Sequence, residues 1–73
     1  MNINKLRGKM VEKKYTQKKL AKELGMTVQA LNAKLNNRSQ FKIEEAVKIS
    51  NILQIEEPGE IFFDNYISKM QRY

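Results

Sequence analysis

The sequence predicts an all-α protein, a compact domain of five short helices. Apolar residues recur every three or four positions along nearly the whole chain, which is the helical period. Three Gly and one Pro interrupt this pattern at intervals. A chain of 73 residues is long enough for one domain, which lies near the lower size limit for independent folding.

The first helix is predicted from about Asn4 to Lys14. Asn2 or Asn4 is its N-cap, because an Asn side chain can accept a hydrogen bond from a free backbone N–H at a helix start. The side chains expected to point inward are Leu6, Met10 and Val11.

The second helix is predicted to begin after Thr16, whose hydroxyl can cap it. Its buried stripe is Leu20, Ala21 and Leu24. Gly25 follows directly and suits the left-handed conformation that ends a helix. We also expect a Cβ at position 25 to clash with its surroundings.

The third helix is predicted to follow the cap Thr27 and to run from about Val28 to Leu35 or Asn36. At about 100° per residue its core stripe is Val28, Leu31 and Leu35. The opposite face carries Gln29, Ala33 and Asn36, with Asn32 at its edge.

Residues 36–42 are predicted to form a polar turn in which Phe41 is buried and Asn37 accepts a positive φ. A fourth helix follows from about Ile43 to Gln54, with Glu44 and Glu45 favourably placed at its N-terminus. Its expected inner face is Ala46, Val47, Ile49, Ile52 and Leu53.

Pro58 is predicted to open a short fifth helix that ends near Phe63. Its apolar residues Ile61, Phe62 and Phe63 are expected to close the core or to project from it. Residues 1–63 are therefore interpreted as the domain. Residues 64–73 are interpreted as a tail that makes a dimer or partner contact, because they are apolar for a free end.

Charge is unevenly distributed along the chain. Residues 1–42 hold eleven basic and two acidic side chains, a balance of +9, whereas residues 43–73 have a balance of −3. A polyanion such as nucleic acid is the partner that this polarity favours, and a merely soluble surface is the alternative.

Several functions are disfavoured by the composition. The chain has neither Cys nor His, so the usual zinc ligands, the commonest general base and the thiol nucleophile are missing. We therefore expect no enzyme, no metal and no cofactor. The absence of Cys and of any long apolar run also predicts a cytoplasmic protein without a membrane segment.

The informative stretch is 16–36, TQKKLAKELGMTVQALNAKLN, in which a short turn containing Gly joins two helices. It resembles the Cro/cI-type (XRE) helix-turn-helix family of phage and bacterial repressors. The residues that carry the resemblance are 15–17, 20–21, 24–25 and 27–31, and residues 43–55 are similar to the fourth helix of that fold. The resemblance covers about residues 4–63 and implies a five-helix, lambda-repressor-like domain whose third helix, residues 28–36, enters the major groove of DNA.

The resemblance also implies which residues contact DNA, and helical spacing supports the groove-facing ones. The expected base contacts are Thr27, Val28, Gln29, Asn32 and Ala33. The expected phosphate contacts are Thr16, Gln17, Lys34, Asn36, Asn37, Arg38 and Lys42. Gln29 is the principal expected base reader, because its amide can pair with the N6 and N7 atoms of adenine.

Each assignment has a simpler alternative. Thr16 can be a plain helix cap, Val28 is expected to be buried rather than exposed, and each Lys or Arg can be a solvated side chain. Two departures from the family pattern leave the register after Ala33 open: Leu31 and Leu35 are four residues apart rather than three, and Asn37 replaces a Gly.

Two functional hypotheses follow. The first is a sequence-specific regulator of transcription, a small phage-type repressor that binds a double-stranded DNA operator, with a possible homodimer formed through the C-terminal region. The second is a small modulator that acts by binding another repressor protein through the apolar residues 61–73. Neither the operator sequence nor the sign of regulation can be read from the chain.

Overall fold

The computed structural model of the protein describes residues 1–63, and this part of the chain is all-helical, with no strand. Five helices follow one another: α1 (Ile3–Glu12), α2 (Gln17–Leu24), α3 (Val28–Leu35), α4 (Ile43–Ile52) and α5 (Pro58–Phe62). The all-α prediction is confirmed. The predicted tail, residues 64–73, lies outside the described residues.

Helices α2 and α3 begin at the predicted caps, and α1 begins at Asn2, one of the two caps predicted for it. The Asn2 side chain accepts from the Lys5 backbone N at 3.2 Å, and the Thr16 and Thr27 hydroxyls accept from the third residue beyond them at 3.1 and 3.0 Å. Pro58 occupies the first turn of α5, where its missing N–H costs no hydrogen bond.

Four helices end in the same way, with one residue in the left-handed region. These residues are Lys14, Gly25, Asn37 and Gln54, with φ of 58°, 71°, 60° and 54°. In each case the left-handed residue and the residue after it donate to two carbonyls in the last turn of the helix, which is the Schellman arrangement. It places the end of α1 at Glu12 and of α4 at Ile52, each two residues before the predicted end.

The core forms where the inner faces of all five helices meet. Leu6, Leu20, Leu31, Ile49 and Leu53 are completely shielded from solvent. Met10, Ala21, Leu24 and Leu35 are also buried as predicted. Ile61, expected either to close the core or to project from it, is buried, and so is Ile55, for which no burial was predicted. The backbone N of Asn2 donates to the carbonyl of Ile61 at 2.7 Å and so joins the start of α1 to α5.

Three valines expected to point inward are exposed, so those predictions were wrong. Val11 is 77% exposed and Val47 54%, because each lies at the edge of the apolar stripe of its helix, on an arc that no other element covers. On α4 the polar Ser50 takes a buried position instead, and its hydroxyl donates to the carbonyl of Ala46 at 2.7 Å. Val28, at the first position of α3, is 40% exposed.

Position 25 requires glycine for a different reason from the one expected. Apart from Gly25 itself and its two chain neighbours, no atom lies within 4 Å of a Cβ at this position, so the predicted clash is absent. The requirement for glycine is conformational, because φ is +71° and a side chain is disfavoured there.

Candidate nucleic-acid interface

Helices α2 and α3 form a tightly packed pair with one exposed side. Three residues separate them, and the backbone N of Met26 donates to the carbonyl of Ala21 at 3.0 Å to close the turn. The buried side chains that hold the pair against the core are Leu20, Ala21, Leu24, Leu31 and Leu35. The inner face of α3 is thereby occupied, and its outer face is left open.

The outer face of α3 carries the residues predicted to contact bases. Thr27 and Gln29 are exposed, Val28 is largely so, and Asn32 and Ala33 are half-buried. The hydroxyl of Thr27 is engaged in capping α3. The exposed apolar side chain of Val28 lies next to Gln29 on the first turn of the helix, where it would be available for a methyl contact.

A chain of amide hydrogen bonds joins α2 to α3 on this side. Asn36 donates from Nδ2 to Oδ1 of Asn32 at 2.8 Å, and Asn32 donates from Nδ2 to Oε1 of Gln17 at 3.1 Å. The structure therefore brings together one predicted base contact and two predicted phosphate contacts. The four-residue spacing of Asn32 and Asn36 could have indicated the first bond, but the second depends on how the helices pack.

The predicted phosphate-binding loop after α3 is solvent-facing. Asn36, Asn37, Arg38 and Lys42 are all exposed. The left-handed conformation of Asn37 turns the chain here, and the backbone N of Arg38 donates to the carbonyl of Ala33 at 2.9 Å. These residues lie directly after the exposed face of α3 in the chain.

Lys34 differs from the other predicted phosphate contacts because its ammonium faces α4. Its Nζ lies 2.5 Å from Oε1 of Glu45, and its side chain is only 12% exposed. The same carboxylate oxygen accepts from the backbone N of Lys42 at 2.8 Å. Lys34 and Glu45 thus tie the end of α3 to the start of α4, across the loop.

The pKa of Glu45 is set by burial on one side and by hydrogen bonds and nearby charges on the other. Partial burial raises the pKa of its carboxyl, but the hydrogen bonds from Lys34 and from the backbone of Lys42, with the charges of both lysines, outweigh burial. The pKa of Glu45 therefore lies below its ordinary value, and the carboxylate is ionised at neutral pH.

The cations divide into a paired and an unpaired group. On α1 and just after it, Lys5 pairs with Glu60 at 3.2 Å, and Lys9 and Lys13 pair with Glu12. Within residues 1–63, the Lys and Arg side chains that have no carboxylate partner are Arg7, Lys14, Lys18, Lys19, Lys22, Arg38, Lys42 and Lys48. Most of the unpaired group lies on α2, in the turn before it and in the loop after α3.

The chain matches a known protein family over most of its length. Residues 1–65 match the family described as "Protein of unknown function (DUF739)". The chain belongs to this family. Neither the curated proteins nor the solved structures contain a significant match to it.

The description of the DUF739 family names no ligand. None of the helices in the described part of the chain is long and apolar enough to cross a membrane. No group of three or more acidic side chains within residues 1–63 is arranged to hold a metal ion.

A second surface feature of this DUF739 member is a cavity of about 410 Å³ beside the loop after α3. Phe41, predicted to be buried, is half-buried there and packs edge-on against Phe62, with ring centroids 5.8 Å apart. Phe63 is 41% exposed and also lines the cavity. The expected dimer or partner contact of residues 64–73 lies outside the described residues.

Proposed function

We propose that this DUF739 member is a sequence-specific, double-stranded DNA-binding regulator of transcription, and that α3 enters the major groove. The observation that carries the proposal is the two-sided character of α3. Leu31 and Leu35 anchor one side in the core, whereas Gln29 and its neighbours form an exposed face. A major groove about 12 Å wide admits a helix held in this manner.

Phosphate binding on one flank is supported by the start of α2. Thr16 caps the helix through its side chain, and the free backbone N–H groups of the first turn, with the helix dipole, favour an anion. Gln17 adds an amide at the same end. A DNA phosphate bound there would position α3 without reading sequence.

The loop after α3 supports phosphate binding on the other flank. Asn36, Asn37, Arg38 and Lys42 are exposed. Arg38 has no carboxylate partner among residues 1–63, so its charge is available to a phosphate. Lys34 is left out of the proposed phosphate set, because its ammonium is paired with Glu45. We assign it to holding the loop in place.

Base reading is proposed for the exposed first two turns of α3. Gln29 can donate and accept in one plane, which matches the N7 and N6 atoms of adenine. The methyl groups of Val28 and Ala33 can contact thymine C5-methyl groups or allow close approach. On a palindromic operator two chains would present α3 in successive major grooves.

The test is enrichment of bound sequences from a randomised duplex pool at about 0.15 M salt. A recurring motif supports the proposal, and two-fold symmetry in it indicates a dimer on the DNA. A Gln29→Ala variant serves as the control and should enrich a motif in which the preference at one base pair is relaxed. Binding without any sequence preference, or no binding, argues against a sequence-specific regulator.

The second candidate is a modulator that binds another repressor protein. It is supported by exposed Phe63 at the edge of the cavity beside Phe62 and Phe41. The test compares binding to a candidate repressor before and after removal of residues 64–73 combined with Phe63→Ala, with thermal unfolding as the control for the fold. Unchanged partner binding by this truncated variant contradicts the candidate.

A further inference from the structure

Three side-chain amides on the exposed side of α2 and α3 are hydrogen-bonded in one direction. Asn36 donates to Asn32 at 2.8 Å, and Asn32 donates to Gln17 at 3.1 Å. Each amide has one oxygen that only accepts and one NH2 group that only donates. The direction of the chain therefore determines which end of each amide points away from it.

Gln17 ends this chain with its donor group outward. Because its Oε1 is used to accept from Asn32, its Nε2 with two N–H groups is the free end. No acceptor in the described part of the chain bonds to that Nε2. While Asn32 accepts from Asn36, rotating the Gln17 amide by half a turn would set its NH2 group against that of Asn32, which removes the hydrogen bond.

This orientation suits an anion. Phosphate oxygens accept hydrogen bonds and donate none, so a glutamine must turn its NH2 group outward to bind one. An unrestrained exposed glutamine would have to lose side-chain freedom on binding. Here Asn32 has already oriented the amide before DNA arrives.

We propose that Asn32 is a positioning residue, which orients the Gln17 amide toward a backbone phosphate, and that it is not itself a reader of a base. This inference rests on the proposed DNA binding and assigns Asn32 a role different from the base contact expected from the sequence. Both the oxygen and one amide hydrogen of Asn32 are committed to protein partners, and its side chain is half-buried.

The two roles differ in their dependence on DNA sequence. A base reader matters on the preferred operator and little on other DNA. A residue that acts through a phosphate contact affects every duplex by the same factor, because phosphates carry no sequence information. Asn32→Ala is therefore expected to weaken binding to selected and scrambled duplexes equally.

The experiment is a double-mutant cycle of Gln17→Ala and Asn32→Ala, read as Kd on one selected and one scrambled duplex. Gln17→Ala should weaken binding to both by about tenfold, the loss of one hydrogen bond to a charged group. Asn32→Ala should weaken binding to both duplexes by about two- to tenfold. In a chain that already carries Gln17→Ala, adding Asn32→Ala should not raise Kd any further. Ala favours a helix more than Asn does, so the variant is expected to fold.

The controls separate the possible outcomes. Asn51→Ala makes the same change at an exposed position of α4 and should leave Kd unaltered. Additive losses in the cycle, or a loss confined to the selected duplex, overturn the positioning role while DNA binding stands. If the wild-type chain binds neither duplex, the proposed function fails and this inference fails with it.

Discussion

Lys34 donates from its ammonium to Oε1 of Glu45 over 2.5 Å, and this bond joins the last turn of α3 to the first turn of α4. The two side chains are only 12% and 19% exposed, so the pair is more shielded than the other ion pairs of residues 1–63. Glu45 also accepts from the backbone of Lys42. Residues 36–42 are therefore held at both ends by one carboxylate.

Removing this carboxylate should destabilise the fold. Glu45→Gln leaves a shielded ammonium without its counter-charge, and we expect the free energy of unfolding to fall by about 1–3 kcal/mol. Urea unfolding at neutral pH measures the change. Glu12→Gln removes a carboxylate that is 56% exposed, and it should cost less than about 1 kcal/mol. An equal loss for both variants would contradict the special position of Glu45.

The contribution of Glu45 should also depend on pH. Its pKa in the folded protein is lowered, so its stabilising effect is complete above the unfolded pKa of about 4.3 and is lost as pH falls through the folded pKa. The stability difference between wild type and Glu45→Gln should therefore be constant near neutral pH and shrink in acid. Urea unfolding across a pH series tests this, and a difference that does not change with pH would refute it.

Two glycines should respond in opposite directions to the same substitution. Gly25→Ala places a Cβ at φ +71° and should destabilise the protein by about 1–2 kcal/mol, although no atom blocks the side chain. Gly8 lies inside α1 with open space around it, and Gly8→Ala should stabilise by about 0.5–1 kcal/mol. Thermal unfolding of both variants checks the signs. Stabilisation by Gly25→Ala would show that the left-handed turn is not required.

Gln29→Ala should weaken binding to the preferred operator by about 1–3 kcal/mol and relax the preference at one base pair. The reason is the loss of a bidentate contact to a base edge. Binding to a scrambled duplex is the internal control and should change little. Equal affinity of the variant and the wild type for the preferred site would exclude Gln29 as a base reader.

The salt dependence of DNA binding should separate the unpaired cations from the paired ones. Arg38→Gln is expected to weaken binding to all duplexes and to reduce the slope of log K against log salt by about 1. Lys9→Gln is the matched control, because Lys9 is already paired with Glu12, and it should change the slope less. A slope that is the same for Arg38→Gln and the wild type would remove Arg38 from the phosphate set.

Local chemistry made the helix starts predictable. The side chains of Asn2, Thr16 and Thr27 accept from backbone N–H groups three residues away, and the ring of Pro58 fixes its own φ at a helical value. Each helix start therefore depends on only a few neighbouring residues. Gly25 indicated in the sequence that α2 ends in the left-handed conformation. The same conformation at Lys14 and Gln54 could not be predicted, because Lys and Gln have no preference for positive φ.

Side-chain direction was predictable only where the apolar stripe is unambiguous. Leu6, Leu20, Leu31 and Ile49 are buried as their helical spacing indicates. Val11 and Val47 lie at the edge of a stripe, where spacing allows either side. Neighbouring helices decide such positions, because a helix buries only the arc that another element covers.

By itself, the sequence determined the helical class, the starts of α2 and α3 and the open face of α3. Caps and the helical period act within one helix, so they can be read from a short stretch of sequence. The tertiary structure decided that Gln17 meets Asn32 and that Lys34 meets Glu45. These pairs are fifteen and eleven residues apart and lie on different helices. Their contacts depend on how the buried leucines pack the helices together, which no local pattern in the chain records.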